Sequence, residues 1–329
     1  MHIKRIALLY GGESEEHDVS IMGHKYVLGL LENLGYDIIS VYIDRSGDWY
    51  IGKERVFPYR SKDGGILLAG RHKLKIDAAI PLLHGDGGES GEIQGLLKSA
   101  SIPFIGSDAS SGAICLDKHY TKCIAEKMGI PLVKWVVFPK KATADEALSI
   151  CEDKLSFPIF LKPRRLGSSV GIYRVNTRDE FEKIYPIAHK IANGLLMAEE
   201  LVVNKRELEC AFYSARGVTK ISEPGEILID GFYGYDEKYV RSAGTLASAN
   251  VSDSVKKEAK HFSMMLAEAC NMRHLGRIDY FLSDGRLLFN EINTFPGFTE
   301  QSLYPKMLMS LGIDPGEALK SFIEDAIGC

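Results

Sequence analysis

The sequence has no long apolar run, no basic excess and no paired-cysteine motif, and each absence excludes a class of protein. No apolar stretch in the 329 residues approaches the roughly 18 residues of a membrane span, so we expect no membrane partner. Lysine and arginine total 40 against 44 acidic residues, a net charge of −4, which argues against a nucleic-acid partner. The six cysteines include no C-x-x-C pair. We therefore expect reduced thiols and a cytoplasmic location.

Strands and helices alternate in the N-terminal third of the chain. The short apolar run from Ile6 to Tyr10 predicts a buried strand rather than a signal peptide. Strands are also predicted at Asp37–Ile43 and Ile76–Leu83, with hairpins and loops over 45–75. The intervening helix is expected to bury Val19, Met22, Tyr26, Leu30 and Leu34. This alternation is typical of a parallel sheet covered by helices.

The rest of the chain has a mixed pattern. Capping boxes at Thr143-x-x-Glu146 and Thr177-x-x-Glu180 predict two helix starts. An alternating strand is predicted at Glu207–Ser214, and a hairpin from Arg277–Leu282 and Leu287–Ile292. We expect three domains, at 1–105, 106–200 and 201–329, with α+β character in the last.

A loop rich in glycine and serine follows a lysine at Lys162–Gly171. Backbone N–H groups and hydroxyls in such a loop can bind phosphate oxygens, with Lys162 as a point charge. An ordinary hairpin loop is an alternative. The sequence also fits the G-x-S-x-G elbow of serine hydrolases, but that elbow needs a helix directly after it, and a strand is predicted there.

Asp279, Glu291 and Asn293 are three oxygen ligands on the predicted hairpin. Carboxylates with an amide, and without histidine or cysteine, suit a hard ion such as Mg²⁺. Joint binding requires that the three side chains share a face of the hairpin. We therefore predict a three-residue loop, 283–285, instead of the two-residue Asp-Gly turn that local propensity favours.

Two further segments follow predicted strands, where α/β proteins bind ligands. Gly11–Ser20 joins the first strand to a helix, and its acidic turn suits an ammonium group better than a pyrophosphate. Ser14 or Asp18 is also expected to cap that helix. In His84–Gly91 the glycines close a tight loop, and His84 lies at the carboxyl end of a strand.

These segments together resemble one family, the D-alanine–D-alanine ligases of the ATP-grasp superfamily. The similar blocks appear in the family's order from Ile6 to about Leu311: GGESEEHDVS, LHGDGGESGEIQG, LDKHYTK, KPRRLGSSVGI, EEL…RELECA, YDEKY, GRID and NEINTFPGFTEQSLYPK. Each block alone is weak, but eight in register are specific. The resemblance implies an N-terminal Rossmann-like (pre-ATP-grasp) domain followed by a two-part ATP-grasp fold, α/β and α+β in class, with ATP between the last two domains.

The resemblance also implies roles for particular residues. ATP would be bound by Lys118, Lys162, Glu199, Glu200, Leu201, Val202, Glu207 and Lys238. Two Mg²⁺ (or Mn²⁺) ions would be bound by Asp279, Glu291 and Asn293. D-Alanine would be bound by His84, Ser302 and Leu303. Among the catalytic groups, Glu16 would receive the amino group of the first D-alanine. Ser168 and Tyr239 would link Glu16 to a lid over 225–242. Arg277 and the Gly297 backbone would stabilise the oxyanion.

The implied reaction joins two D-alanines through a D-alanyl phosphate, for peptidoglycan precursors, in a homodimer. Ligases that make D-Ala-D-Ser or D-Ala-D-lactate are the nearest alternative, although Tyr239 and the Ser302-Leu303 pair favour an amine as second substrate. A non-catalytic nucleotide-binding regulator is a remote one. The sequence departs from the family at Ser248, where a proline is expected, and at Asn204-Lys205, which replaces a glycine turn.

Overall fold

The computed structural model describes residues 3–62, 64–228 and 244–328, which form three β-sheets with helices packed against them. The first sheet has the strand order β6-β5-β4-β3-β2-β1-β7. Its strands are β1 (Arg5–Gly11), β2 (Asp37–Ile43), β3 (Trp49–Ile51), β4 (Glu54–Ser61), β5 (Gly64–Ala69), β6 (His72–Lys75) and β7 (Ala78–Pro81). Strands β1, β2 and β7 are parallel, as predicted. The region predicted as hairpins and loops forms β3 to β6, which extend the sheet in antiparallel pairs.

Helix α1 (His17–Glu32) covers this sheet, and of the residues predicted to be buried, Val19 is buried and Tyr26, Leu30 and Leu34 pack partly buried against the core. The structure buries Val19, Gly23, Val27 and Leu31, whereas Met22 is 48% exposed. A Cβ on Gly23 would lie 3.3 Å from both Leu82 and the Phe298 carbonyl. The helix therefore lies close to Leu82 and Phe298 at Gly23, and only Met22 departs from the predicted buried set.

The second sheet, of order β10-β9-β11-β8, is antiparallel. Its strands are β8 (Trp135–Val137), β9 (Ile159–Pro163), β10 (Tyr173–Val175) and β11 (Leu196–Glu200), and it packs with α5 (Ala144–Lys154) and α6 (Arg178–Ile191). The capping box at Thr143 and Glu146 is confirmed. Thr177 also caps its helix, but the Glu180 carboxylate accepts from the Asn176 N–H instead of from Thr177.

The third sheet has the order β15-β14-β12-β16-β17, with β13 paired to β12. Its strands are β12 (Arg206–Ala215), β13 (Val218–Ile221), β14 (Gly225–Leu228), β15 (Gly244–Leu246), β16 (His274–Ser283) and β17 (Arg286–Asn293). The remaining helices are α2 (Glu92–Ser99), α3 (Ala109–Leu116), α4 (Lys118–Lys127), α7 (Asp253–Ala269), α8 (Leu303–Ser310) and α9 (Pro315–Ala326). The residues between the second and third sheets form the site described below.

Strand β12 contributes to two hydrophobic cores. Ala211 and Tyr213 pack with the first sheet and with α1, α8 and α9, while Cys210 and Phe212 pack with α3, α4 and α7. This division follows from the two-residue period of a strand, because alternate side chains leave opposite faces. As a result, α4 is packed against the third sheet rather than the second.

The β16–β17 hairpin corrects the predicted loop length. Ser283 pairs with Arg286, so the connection is the two-residue turn Asp284-Gly285, with φ of 49° and 73°. The register then shifts between Asp279 and Tyr280, which leaves Asn290 as the extra residue of a β-bulge. Beyond the bulge Asp279 faces Glu291 and Arg277 faces Asn293. Local turn propensity therefore decides the loop, and the bulge restores the shared face.

No helix in the described part of the chain is long and apolar enough to cross a membrane.

Candidate active site

A cleft between the second and third sheets contains most of the residues predicted to bind ATP. Its lining includes Lys118, Lys162, Glu199, Glu200, Val202, Glu207, Asp279 and Glu291, together with the loop 166–169. Leu201 is not part of the lining, and its N–H donates to the Pro158 carbonyl at 3.0 Å. Lys238 and Tyr239 lie outside the described residues, as does the predicted lid except for 225–228.

Lys162 and Glu199 come together because their strands are paired. In the β9–β11 ladder Lys162 faces Met197 and Glu199 faces Phe160, so the two charged residues are diagonal neighbours on one face. The Glu199 carboxylate forms ion pairs with Lys162 and, at 2.9 Å, with Lys122. Burial alone would raise the pKa of Glu199, but the two lysines outweigh it and lower the pKa to about 2. The carboxylate is therefore ionised in the buried site.

Lys118 lies at the boundary between α4 and the loop after β9. Its Nζ donates to the Leu166 carbonyl at 2.9 Å and is 3.2 Å from the Glu291 carboxylate. The N-terminus of α4 is fixed by Asp117, which accepts from the His119 N–H and from two guanidinium nitrogens of Arg164 at 3.0 and 2.7 Å. Sequence reasoning did not identify Asp117 and Arg164, although both lie inside the blocks LDKHYTK and KPRRLGSSVGI.

The loop itself has the left-handed backbone expected of an anion-binding turn. Ser168 and Ser169 have φ of 49° and 60°. The Ser168 hydroxyl donates to the Glu16 carboxylate at 2.5 Å, as the resemblance implies. The strand β10 follows the loop, so the helix required after a hydrolase elbow is missing from this place. The nucleophile-elbow interpretation is therefore wrong.

A row of charged side chains lies on one face of β12, β16 and β17. The Arg277 guanidinium donates to both oxygens of Asp279 at 2.8 Å, and its Nε is 3.2 Å from Glu209. Asn293 donates to Asp279 at 3.0 Å. Burial would lower the pKa of Arg277, but Asp279 and Glu209 outweigh burial and raise it well above its usual value. Sequence reasoning missed Glu209, which faces Asp279 across the sheet and carries no local signal of its role.

Asp279, Glu291 and Asn293 provide two carboxylates and one amide on a shared face. This donor set suits a hard divalent ion. No cluster of three or more histidine, cysteine, aspartate or glutamate side chains within 3–62, 64–228 and 244–328 has the geometry of a metal site. The predicted set has only two such residues, and Asp279 is bound by Arg277 and Asn293. The residues fit such an ion provided that the Asp279 oxygens turn toward it.

A second, smaller pocket adjoins the first. It is lined by Glu16, His84, Glu89, Arg277, Asn293 and Gly297, and it shares Lys118, Gly167, Ser168 and Glu291 with the first. His84 lies 3.0 Å from the Phe295 carbonyl through Nδ1, and its Nε2 has no hydrogen-bond partner among the described residues. That nitrogen is thus available to a ligand.

The walls of the second pocket are fixed by buried polar contacts. Glu89, absent from the predicted site, accepts from the N–H groups of Gly85 at 3.1 Å and Phe295 at 2.8 Å. Burial raises its pKa. Ser302 and Leu303 lie beside this pocket but do not line it. The Ser302 hydroxyl bonds Thr299, 2.8 Å away, and would be 3.1 Å from a Cβ on Gly297.

The segment after Glu200 contains the Asn204-Lys205 pair that replaces a glycine turn. Asn204 has φ of 49°, so an asparagine adopts the left-handed conformation that a glycine would otherwise supply. Lys205 follows, pairs with Glu207 at 2.7 Å and lies 3.9 Å from the Phe281 ring centre. Lys205 also lines the cleft and was not identified from the sequence.

Comparisons with known proteins agree with this geometry. Family models described as the N-terminus and the C-terminus of D-ala D-ala ligase match residues 5–107 and 124–324. The D-alanine–D-alanine ligase of Thermoanaerobacter sp. (strain X514) is 33% identical and the alignment covers 99% of this chain and 97% of that protein. That of Mycobacterium tuberculosis is 32% identical, with 98% and 95% covered.

Solved structures of similar chains share the fold. D-alanyl-alanine synthetase A from Vibrio cholerae has a TM-score of 0.87, with 31% identity and 100% of both chains covered. The VanG D-Ala:D-Ser ligase from Enterococcus faecalis has a TM-score of 0.84, with 30% identity, 99% of this chain and 100% of that chain covered. The predicted ATP-grasp fold class is confirmed.

Proposed function

Because the chain belongs to the family of D-alanine–D-alanine ligases, which are ATP-dependent, we propose that it joins two D-alanines into D-alanyl-D-alanine through a D-alanyl phosphate, for peptidoglycan precursors. The observation that carries this proposal is the wall common to the two pockets. Lys118, Gly167, Ser168 and Glu291 line both, so a nucleotide in one pocket would point its phosphates at an acid bound in the other. That is the arrangement needed to transfer a phosphoryl group to a carboxylate.

On the nucleotide side, we propose that Lys118 and Lys162 bind the phosphates and neutralise the charge that spreads over the transferred phosphoryl oxygens. Glu200, Val202 and Glu207, which line the cleft on either side of Leu201 in the chain, would face the adenine and ribose, and Lys238 would join the phosphate contacts. The Glu199 carboxylate forms ion pairs with two lysines. These pairs support a role for Glu199 in positioning the lysines, and not in binding the adenine base.

The metal proposal is that Asp279, Glu291 and Asn293 bind two Mg²⁺ or Mn²⁺ ions. When bound, these ions supply charge neutralisation at the phosphoryl group. Within this chain, Lys118 already neutralises part of the Glu291 charge, and Arg277 part of the Asp279 charge. Removal of divalent ions with a chelator should therefore abolish turnover.

In the second pocket, Glu16 would bind the amino group of the first D-alanine. The Ser168 hydroxyl would hold the Glu16 carboxylate in place. The γ-phosphoryl group passes from ATP to the D-alanine carboxylate, and ADP leaves. The amine of the second D-alanine then attacks the carbonyl, and Arg277 and the Gly297 N–H stabilise the tetrahedral oxyanion before phosphate departs. His84, Ser302 and Leu303 would position the second substrate, and Tyr239 would complete the link to Glu16 and Ser168.

A second candidate is a ligase with D-serine as the second substrate. The VanG D-Ala:D-Ser ligase supports it, since its TM-score of 0.84 is close to the 0.87 of the Vibrio cholerae enzyme. The family models and curated relatives favour D-alanine. D-Alanine, D-serine and D-lactate should therefore be compared as second substrates of one preparation, with D-alanine expected to give the highest kcat/KM.

The reaction is tested by coupling ADP release to a spectroscopic assay. We expect ADP only when both D-alanine and Mg²⁺ are present, and none from Lys162→Met, because that lysine leads into the phosphate loop. Lys127→Met, an exposed lysine on α4, is the matched control and should retain full activity. Turnover by Lys162→Met equal to that of the control would reject the phosphate assignment.

We also propose the domain division at 1–105, 106–200 and 201–329, a cytoplasmic location and a homodimer. The three separate sheets support the division. The free thiols of five described cysteines support a reducing compartment.

Phe57 and Tyr59, both about half exposed on β4, are apolar surface that a second copy could cover. Light scattering measures the oligomeric state, and a mass of one chain would reject the dimer.

A further inference from the structure

Lys122 is a fully buried lysine whose role the proposed reaction leaves unexplained. Its side chain is 0% exposed, it lies on α4 one turn after Lys118, and its Nζ is 2.9 Å from Glu199. Burial lowers its pKa, and Glu199 opposes that effect. It does not line the cleft, so it cannot contact a nucleotide directly. A buried ammonium is costly to a protein, and one that persists needs a reason.

Glu199 does not need a second lysine for its own charge. Lys162 already forms an ion pair with Glu199, and one cation neutralises one carboxylate. Adding Lys122 places two positive charges around one negative charge, and the charge of Lys162 disfavours the charged form of Lys122. Pairing alone therefore accounts for one lysine and leaves the other as a net cost.

The geometry indicates what the extra charge provides. Lys122 contacts one oxygen of Glu199 and Lys162 contacts the other. Of Lys122 and Lys162, only Lys162 lines the cleft. With Lys122 present the three groups carry a net charge of +1, and this charge is presented to the cleft by Lys162. Without it, the Lys162–Glu199 pair would be neutral, and an incoming phosphate would compete with Glu199 for the lysine.

We propose that Lys122 is a positioning residue that shares the charge of Glu199 and thereby leaves the Lys162 ammonium able to bind nucleotide phosphate. The inference rests on the proposed function, since it takes ATP as the ligand of the cleft. It concerns phosphate affinity and leaves contacts to the base and ribose unchanged.

The test compares Lys122→Met, which conserves volume in a buried site, with Lys127→Met on the same helix. Dissociation constants for ATP and for adenosine are measured by displacement of a fluorescent nucleotide, together with the thermal unfolding temperature. We expect Lys122→Met to weaken ATP binding by about tenfold or more, the size of one lost charge-assisted contact, and to leave adenosine binding within about twofold. Lys127→Met should change neither constant.

Three results would contradict the inference, and they differ from one another. Unchanged ATP binding with a lowered unfolding temperature would make Lys122 a structural residue only. Equal weakening of ATP and adenosine would indicate a distorted cleft instead of lost phosphate affinity. Absence of ATP binding to the unsubstituted protein would reject the proposed function itself. Glu199→Gln provides a further check, because it removes the negative charge and should make Lys122→Met nearly neutral toward ATP in the double variant.

Discussion

Arg277 belongs to the row of charged side chains on β12, β16 and β17, and it also lines the second pocket. Two carboxylates, Asp279 and Glu209, pair with its guanidinium. These pairs orient the guanidinium donors, so little reorganisation would be needed when an oxyanion develops. If Asp279 turns to a metal ion, Glu209 remains to keep the guanidinium in place.

Replacement of Arg277 by lysine keeps the charge but removes the planar fork that binds Asp279 and that we propose binds the oxyanion. We expect Arg277→Lys to lower kcat by about 10²–10³-fold, the size of one lost oxyanion donor, with ATP affinity nearly unchanged. Steady-state kinetics and nucleotide binding measure the two effects separately. Arg286→Lys, an exposed position on the same hairpin, is the control. Retention of more than half the activity by Arg277→Lys would contradict the oxyanion role.

His274 is a buried residue whose charge state affects the folded chain as a whole. Its Nδ1 accepts from the Gly106 N–H at 2.9 Å, and its Nε2 is 3.1 Å from Asp325. Burial, helped by the charge of Arg273, lowers its pKa from 6.5 to about 4. The folded state therefore contains the neutral ring at pH values where the unfolded chain already binds a proton.

The sign of the pH effect follows from that difference. The stability that the neutral ring supplies is fully present above pH 6.5 and is lost as the pH falls toward 4, about 3 kcal/mol in all. His274→Asn, which tolerates the φ of 63°, should show a smaller fall in unfolding temperature between pH 7.5 and 4.5 than the unsubstituted protein. Parallel curves for the two proteins would show that His274 does not titrate in this range.

The loop after β9 and the helix α4 act as one unit because Asp117 and Arg164 join them. The bidentate Asp117–Arg164 pair involves the residue directly before Lys118. The Arg164 guanidinium also lies 5.5 Å from the Tyr120 ring centre. Loss of either partner leaves the other with an unsatisfied, largely buried charge. The position of Lys118 relative to Leu166 depends on this link.

A double-mutant cycle tests the link. We expect Asp117→Asn and Arg164→Gln each to weaken ATP binding, and the double variant to be no weaker than the worse single one, with a coupling of about 1–3 kcal/mol. The dissociation constant for ATP is measured for all four proteins. Additive losses would mean that the two residues act independently.

The extent to which elements could be predicted depended on how local their causes are. The Thr143 capping box and the Asp284-Gly285 turn arise from contacts within a few residues, and local rules identify both. The three-residue loop predicted from the need for a shared face is wrong, because the connection is the two-residue Asp284-Gly285 turn. Asp279 and Glu291 do share a face, but the bulge at Asn290 brings this about, and no local signal in the sequence marks that bulge.

Positions set by tertiary contacts were the ones that sequence reasoning missed. Met22 on α1, for example, is exposed, whereas Gly23 beside it is buried close to Leu82. Lys122, Glu209 and Glu89 are charged residues that a sequence pattern would place at the surface, whereas each is buried against a partner from a distant strand or loop. Motif order, in contrast, indicated several residues that line the two pockets, such as Lys118, Lys162 and Glu16, because the blocks lie at strand ends or in loops, whereas Leu201, Ser302 and Leu303 line neither pocket.

In the whole molecule, the second pocket is lined by residues that belong to or adjoin all three sheets. The first sheet packs against the third through one shared core, whereas the second sheet has a separate core. The bond between Glu16 at the start of α1 and Ser168 after β9 joins the first sheet to the second. The Arg165–Asp86 ion pair, at 3.6 Å, connects the same two regions, so Glu16 is one of two carboxylates that join them.

Glu16→Gln removes that charge while retaining an acceptor for Ser168. Because Glu16 lines the second pocket but not the first, we expect the KM for D-alanine to rise about tenfold or more while ATP binding stays within about twofold. Initial rates at saturating ATP give the first value and nucleotide titration the second. A KM for D-alanine equal to that of the unsubstituted enzyme would remove Glu16 as the residue that binds the amino group.

The most direct test of the proposed ligase supplies D-alanine labelled with oxygen-18 in its carboxylate, together with ATP and Mg²⁺, and identifies all products by mass. Attack of that carboxylate on the γ-phosphoryl group, followed by attack of the second amine on the carbonyl, leaves one carboxylate oxygen on phosphate. We therefore expect D-alanyl-D-alanine, ADP and phosphate that carries one heavy oxygen per dipeptide formed. Unlabelled phosphate without dipeptide would mean that water accepts the phosphoryl group, which would contradict the proposed ligase reaction.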